Sequence, residues 1–438
     1  MKYFGTDGIR AQVNNSFLNQ NFALNLGEAV GAFVKKNNPS NTNILIGRDT
    51  RSSGEMLLQA FVQGLNNESC QGTSTGIVPT PVLAHSVTNK KCGLGVMITA
   101  SHNQEHDNGF KFFSQLGTKL SDSDEVAIEK MIPMNEKPIV HQPVNVTPVI
   151  DSYSNHILSL FPYNLLNGMK IVVDLSYGAT MNTTPDILSN LGAEVVVLNK
   201  EGGKINDRVG SEFPQIMAKK TILEGADFGI AHDGDGDRAI FSDSMGKIVH
   251  GDILLGLLAI HEHSQNRLKS NTFIATIHSN SGLEASLRRH KISVSLSEVG
   301  DKRVAELMKK KNSNFGGESS GHLVASDFLP TGDGLITALL IARVMVESNR
   351  PLNKLCEQIT LWPSFEGSFL VNKKIPIDMC HPLKTELDLI RNDLGEQGRI
   401  LLRYSGTEPK IRLLVESIDK SKADSAYNSL AKTIKKTL

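Results

Sequence analysis

A chain of 438 residues, 39% hydrophobic and 21% charged, is long enough for about two to four packed domains and reads as ordinary globular protein. Its 46 lysines and arginines balance its 46 aspartates and glutamates, which excludes an overall basic field for nucleic acid or an anionic membrane, so local groups must hold any anionic ligand. Four scattered cysteines, no apolar leader after Met1 and no apolar run of membrane length argue against a disulfide scaffold, export and membrane insertion, and predict a cytoplasmic protein.

Phe22, Leu26, Val30 and Phe33 recur at helical spacing, Ile44-Leu45-Ile46 reads as a short buried strand, and Leu57, Phe61 and Leu65 mark a second helix. Residues 94–100 are apolar enough for a central strand ending in the polar loop Ser101-His102-Asn103. Such alternation predicts a parallel sheet. It returns with strands at 171–173, 195–198 and 228–231 around a helix at 185–191. A third round has a helix at 252–263, strands at 273–276 and 292–296, and a helix from Asp301. After Trp362-Pro363 the order changes to strand, helix, strand, loop, strand, helix, which suits a smaller α+β domain. The expected fold class is α/β, with three similar α/β domains at 1–150, 151–250 and 251–362 and a C-terminal α+β domain at 363–438.

Asp233-Gly234-Asp235-Gly236-Asp237-Arg238 follows a predicted buried strand, and in an extended segment residues two apart point the same way. Three carboxylates on one side need a cation, and all-oxygen ligation suits magnesium or calcium. A calcium EF-hand loop needs glycine at its sixth position and glutamate at its twelfth, where this chain has Arg238 and Ser244. The plain alternative is a solvated acidic turn. Ser101 also stands at a strand end, with Asn108-Gly109-Phe110-Lys111 close behind; a phosphorylated serine there would carry charge that a nearby divalent ion offsets. A hydrogen-bonded turn explains the same letters. In 316–322 the glycines permit close backbone approach, and Glu318, Ser320 and His322 can hydrogen-bond sugar hydroxyls. In 403–412, hydroxyls, a glycine and arginines make a concave anion site, with a hairpin turn as the alternative. Gly5-Thr6-Asp7-Gly8-Ile9-Arg10 adds another arginine after a turn.

Taken in order, these five segments resemble the α-D-phosphohexomutase family from Phe4 to about Glu416. Segments 2–10, 107–113 and 403–409, with Glu318-x-Ser320-Gly321-His322 and Thr331-Gly332-Asp333-Gly334, are most similar to its amino-sugar branch. The resemblance implies four domains around a central cleft. It implies Ser101 as the phosphorylated serine, and Asp233, Asp235 and Asp237 as ligands of one magnesium ion per subunit, with Ser101 as a fourth protein contact. Arg10, Lys111 and Arg238 would be catalytic beside it. Glu318, Ser320 and His322 would hold the sugar, and Arg403, Ser405, Gly406, Thr407 and Arg412 the phosphate that is not reacting.

The implied activity interconverts glucosamine 6-phosphate and glucosamine 1-phosphate through a bound sugar bisphosphate that also primes the enzyme, feeding UDP-N-acetylglucosamine and cell-wall precursor synthesis. Glucose and mannose phosphates remain alternative substrates, as does a catalytically retired sugar-phosphate-binding regulator. The expected partner is a small sugar phosphate, with no nucleic acid or membrane and a homodimer left open. Gln104 stands where that family commonly has proline, Lys302 where it usually has arginine, and His232 where it commonly has a phenyl ring. The first raises a question about the rigidity of the serine loop.

Overall fold

The computed structural model describes residues 2–140, 143–405 and 409–438. They form two compact units, residues 1–277 with 295–356 and residues 278–294 with 357–438.

In the first unit, after two short strands, comes the helix Gln20–Asn37, whose Asn19 side chain accepts a hydrogen bond from the Phe22 amide while Lys35 and Lys36 complement the dipole in the last turn. Its buried face, with Phe22, Leu26, Val30 and Phe33, joins Leu57, Phe61 and Leu65 of the helix Gly54–Asn67 in one core. The sheet beside them is ordered Phe4–Gly5, Gly8–Gln12, Asp107–Ser114, Leu94–Ile98, Asn43–Arg48, Gln71–Ile77.

The expected parallel sheet needs correction: only the pairings of Asn43–Arg48 with its two neighbours are parallel, and the remaining pairs are antiparallel. The second sheet repeats this plan. Lys170–Asp174 runs parallel to Glu194–Leu198 and Phe228–His232, while Ala239–Asp243 returns antiparallel to Phe228–His232. In the third, Thr272–Thr276 lies parallel to Phe315–Glu318, which turns back into His322–Ala325. The serine, acidic and sugar loops of this unit's three sheets are therefore tips where a parallel strand hands over to an antiparallel return strand, while the turn in 5–10 joins two antiparallel strands. The closing pairs are Ile98 with Phe110, His232 with Ala239, and Glu318 with His322. A hairpin tip frees its backbone and side chains from the ladder, which is where chemistry can be placed.

The apolar helix Gly334–Ser348 is capped by Asp333, whose carboxylate accepts from the amides of Leu335 and Ile336. No helix among the described residues is long and apolar enough to cross a membrane.

The second unit is an antiparallel sheet ordered Ser364–Leu370, Lys410–Ser417, Gly398–Tyr404. The helices His381–Leu394 and Lys420–Thr437 cover it, and Leu383, Leu387, Leu430 and Ile434 share its core with Ile411, Leu413 and Val415. The strand, helix, strand, strand, helix order matches the expectation from sequence.

Candidate active site

Ser101 sits at the tip after Leu94–Ile98, fully buried, with φ at 51°, a left-handed conformation rare for a residue with a side chain. Its hydroxyl donates to Asp233 Oδ2 at 2.6 Å, joining the serine tip to the acidic tip. Asp233, Asp235 and Asp237 are all buried, and each offers an oxygen within 4.8 Å of the others. Burial first, then repulsion from Asp237 and Asp235, holds the Asp233 carboxyl well above the usual carboxylate range. Asp235 Oδ1 is buried without a hydrogen-bond partner. Crowded carboxylates, an orphaned buried oxygen and a nearby hydroxyl form a donor set that fits a hard divalent cation. Gly234 lets these tips meet: a Cβ there would stand 2.8 Å from the Ser101 carbonyl oxygen and 2.6 Å from Ile205 Cδ1.

Cations surround the cluster. Lys111 Nζ lies 2.7 Å from Asp235 Oδ2 and from Asp237 Oδ2, and 3.3 Å from Asp7 Oδ2. Burial works against its ammonium, yet Asp235, Asp237 and Asp7 hold it well above the ordinary lysine value. Arg10 bonds Asp7, and the buried Nε atoms of Arg10 and Arg238 have no hydrogen-bond partner. Burial, then Arg238 and Arg10, lowers His102 to about 4, which keeps that imidazole neutral. Unpartnered guanidinium donors beside a buried serine suit phosphoryl oxygens.

Two residues missed from sequence close the cluster. Lys119 pairs with Asp7 and, at 2.5 Å, with Asp301 Oδ2; His322 stands 3.3 Å from Asp301 and 3.5 Å from Asp237. Asp7, Lys119, Asp301, His322, Asp237 and Lys111 thus make a ring of alternating charge, buried except at the partly exposed Asp7 and Lys119. Expected as a sugar ligand, His322 is a ring member with 2% exposure. Among its sugar-loop companions, Glu318 is half-buried and accepts from the Gly300 amide at 2.9 Å, and Ser320 is exposed. Lys302, the arginine position, bonds Asp122 at 2.7 Å and Glu125 at 2.9 Å, tying the helix Asp301–Lys311 to the helix Asp122–Met131.

His232 is fully buried, with its ring nitrogens 3.1 Å from Thr184 Oγ1 and 3.0 Å from the Arg238 carbonyl oxygen. Burial lowers it to about 4 from an ordinary 6.5. The unfolded chain therefore binds the proton first, and this group's contribution, complete above about pH 6.5, is lost as pH falls toward 4. His232→Phe is expected to remove about 2 kcal/mol of the stability lost between pH 7 and pH 5. Urea unfolding of both proteins at the two pH values measures it; equal losses would contradict it.

In the second unit, Arg403 and Arg412 face each other across neighbouring strands and line a cavity of about 310 Å³ with His278, Glu366 and Ser368. Like charges directly opposite are unfavourable unless an anion bridges them. His278, also missed from sequence because a lone histidine carries no local signature, lies 2.8 Å from Arg403 Nη2. Burial, followed by Arg403, Arg399 and Arg412, lowers its pKa, so its neutral ring can accept from that guanidinium. Ser405 is buried, and its carbonyl oxygen accepts from Lys374 Nζ at 2.6 Å. Gly406 and Thr407 lie outside the described residues.

Comparison with known proteins agrees with this geometry. Models of phosphoglucomutase/phosphomannomutase α/β/α domains I, II and III match residues 1–138, 151–246 and 250–361, and the C-terminal domain of the same family matches 383–432. The phosphoglucosamine mutase of Nautilia profundicola is 40% identical over 447 residues, covering 100% of both chains. A putative phosphomannomutase from Thermus thermophilus superposes with a TM-score of 0.82 at 21% identity, covering 99% of this chain and 98% of that one. The N-acetylphosphoglucosamine mutase of Aspergillus fumigatus, solved with GlcNAc-6P and magnesium, gives 0.63 at 15% identity over 90% of this chain and 82% of its own. With the four family domains in order and a relative matched end to end, the chain belongs to the phosphoglucomutase/phosphomannomutase family.

Proposed function

We propose that the protein is a phosphoglucosamine mutase that interconverts glucosamine 6-phosphate and glucosamine 1-phosphate through phospho-Ser101. The observation that carries this reading is the buried Ser101 hydroxyl bonded at 2.6 Å to the first of three clustered aspartates. In the first half-reaction a sugar hydroxyl oxygen bonds to phosphorus as the Ser101 Oγ–phosphorus bond breaks. The hydroxyl loses its proton and Ser101 Oγ regains one, leaving a bound sugar bisphosphate. That intermediate reverses its orientation, and Ser101 takes back the other phosphoryl group by the same chemistry in reverse.

Positioning and charge neutralisation govern such transfers. Asp233, Asp235 and Asp237, with Ser101, are the residues that would hold one magnesium ion per subunit, which when bound supplies charge neutralisation at the phosphoryl oxygens. Lys111, held as an ammonium, and the unpartnered donors of Arg10 and Arg238 supply the remaining positive charge. Glu318 and Ser320 hold sugar hydroxyls, and Glu318 attracts the 2-ammonium group. Arg403, Ser405 and Arg412, with Gly406 and Thr407, bind a phosphate group. His322 orients Asp237 and Asp301 from behind the acidic tip. Domain limits of 1–150, 151–250, 251–362 and 363–438 and a cytoplasmic location complete the proposal, the latter supported by four free cysteines.

Side-by-side turnover of glucosamine, glucose and mannose phosphates tests the substrate. Glucosamine phosphate should be preferred by about 100-fold or more in kcat/KM, since a site built for a charged amine leaves its carboxylate unpaired with a hydroxyl sugar. Equal rates on all three would contradict the amino-sugar assignment, and binding without turnover would establish a retired regulator instead.

A further inference from the structure

The serine tip carries Gln104 in place of a rigid residue, yet its backbone is held on every side. Arg51, at 1% exposure, donates five hydrogen bonds from its guanidinium, which uses its complete set of donors. One goes to Asp49 Oδ2 at 3.0 Å. The other four go to backbone carbonyls of the tip: Ser101 at 2.9 Å, Asn103 at 2.7 Å, Asp107 at 2.8 Å, and Gln104. From the opposite side comes Asn206, 2% exposed, which follows the strand Glu194–Leu198 of the second sheet. Its Nδ2 donates to the same carbonyls of Ser101, at 2.7 Å, and Asn103, at 2.8 Å.

Asn206 is anchored in turn. Its Oδ1 accepts from Ser176 Oγ at 2.7 Å and its amide donates to the Ser176 carbonyl at 3.0 Å. On the amide side of Ser101, Asp49 Oδ2 accepts from Thr99 Oγ1 at 2.6 Å, and Thr99 Oγ1 accepts from the Ser101 amide at 2.9 Å. Both backbone polar groups of Ser101 are therefore fixed, in a left-handed conformation that a serine adopts only when its surroundings over-determine it. The Gly234 Cβ position is 2.9 Å from Asn206 Nδ2, so the acidic tip packs directly on this clamp.

We infer that Arg51 and Asn206 are positioning residues for phosphoryl transfer, forming a two-sided clamp that sets the serine oxygen against the aspartate cluster. Arg51 belongs to the part of the chain that carries the serine, and Asn206 to the part that carries the aspartates. The clamp thus registers nucleophile and acidic tip without touching substrate. A guanidinium alone reaches four carbonyls in one plane, so lysine cannot replace it. The inference rests on phospho-Ser101 as the phosphoryl carrier.

The test uses the full-length protein primed with glucose 1,6-bisphosphate, with Arg51→Lys, Asn206→Ala and Ser101→Ala compared with the parent. The readout is the single-turnover rate constant for phosphoryl transfer from phosphoprotein to glucosamine 6-phosphate. It is counted per phosphorylated molecule, so loss of folded protein does not lower it. Each clamp variant is expected to slow transfer by about 100-fold, with the half-saturating substrate concentration changed by less than about threefold. Parental rate constants in both variants, or in Asn206→Ala alone if Arg51→Lys does not fold, would overturn the clamp. Transfer surviving in Ser101→Ala would instead overturn the phosphoserine reading on which the clamp rests.

Discussion

Ser101→Ala is expected to lower turnover by on the order of 10⁴-fold or more, because it removes the atom that carries the phosphoryl group in both half-reactions. The substitution deletes one hydroxyl in a fully buried pocket whose backbone is already held by Arg51, Asn206 and Thr99, so the fold should persist. The side chain's contacts are to Asp233 at 2.6 Å and His102 at 3.3 Å. Losing the first leaves Asp233 accepting from the Arg238 amide at 3.2 Å. Binding of glucosamine 6-phosphate should survive, since no proposed sugar ligand is altered. Calorimetric titration beside the turnover assay separates the two effects. Full activity in Ser101→Ala would remove Ser101 from the mechanism.

Asp233→Asn is expected to cost on the order of 10³-fold in turnover and to weaken magnesium binding by on the order of 100-fold, through loss of one of three carboxylates in the site. Its effect on stability should run the other way. Burial and the carboxylates of Asp237 and Asp235 already disfavour the ionised Asp233, so a neutral amide relieves repulsion in the metal-free protein while still accepting from the Ser101 hydroxyl. Thermal unfolding in chelator should show Asp233→Asn at or above the parent midpoint, and added magnesium should raise the parent far more than the variant. A variant less stable than the parent in chelator, with an unchanged magnesium response, would show that Asp233 is a folding residue and no ligand.

Much of this site is legible in the sequence because its chemistry is local. Asp233, Asp235 and Asp237 announce themselves by spacing at the end of an apolar strand, and Ser101 and Glu318 stand in similar places. What is not legible is long-range. Lys119 meets Asp301 across 182 positions, and Asn206 meets Ser101 across 105, with nothing in either neighbourhood to mark the pairing.

The strand Asp107–Ser114 is absent from the elements predicted from sequence, since Asp107-Asn108-Gly109 has little strand propensity. It forms because Phe110, Phe112 and Phe113 bury on both faces of the sheet, a tertiary effect that overrides propensity. That strand brings Lys111 to the aspartates, and it explains why the sheet is mixed. Residues 278–294 show another long-range effect: the helix Ser281–Arg289 follows a strand of the third sheet in the chain, yet it belongs to the compact unit built by the C-terminal segment.

The central claim is that Ser101 carries the phosphoryl group, and the most direct measurement is the intact mass of the purified protein, with peptide mapping, before and after glucosamine 6-phosphate is added. A phosphate-sized increment on Ser101 that disappears as sugar bisphosphate forms is the predicted result. Sustained turnover by protein that is unphosphorylated at Ser101 throughout would contradict it.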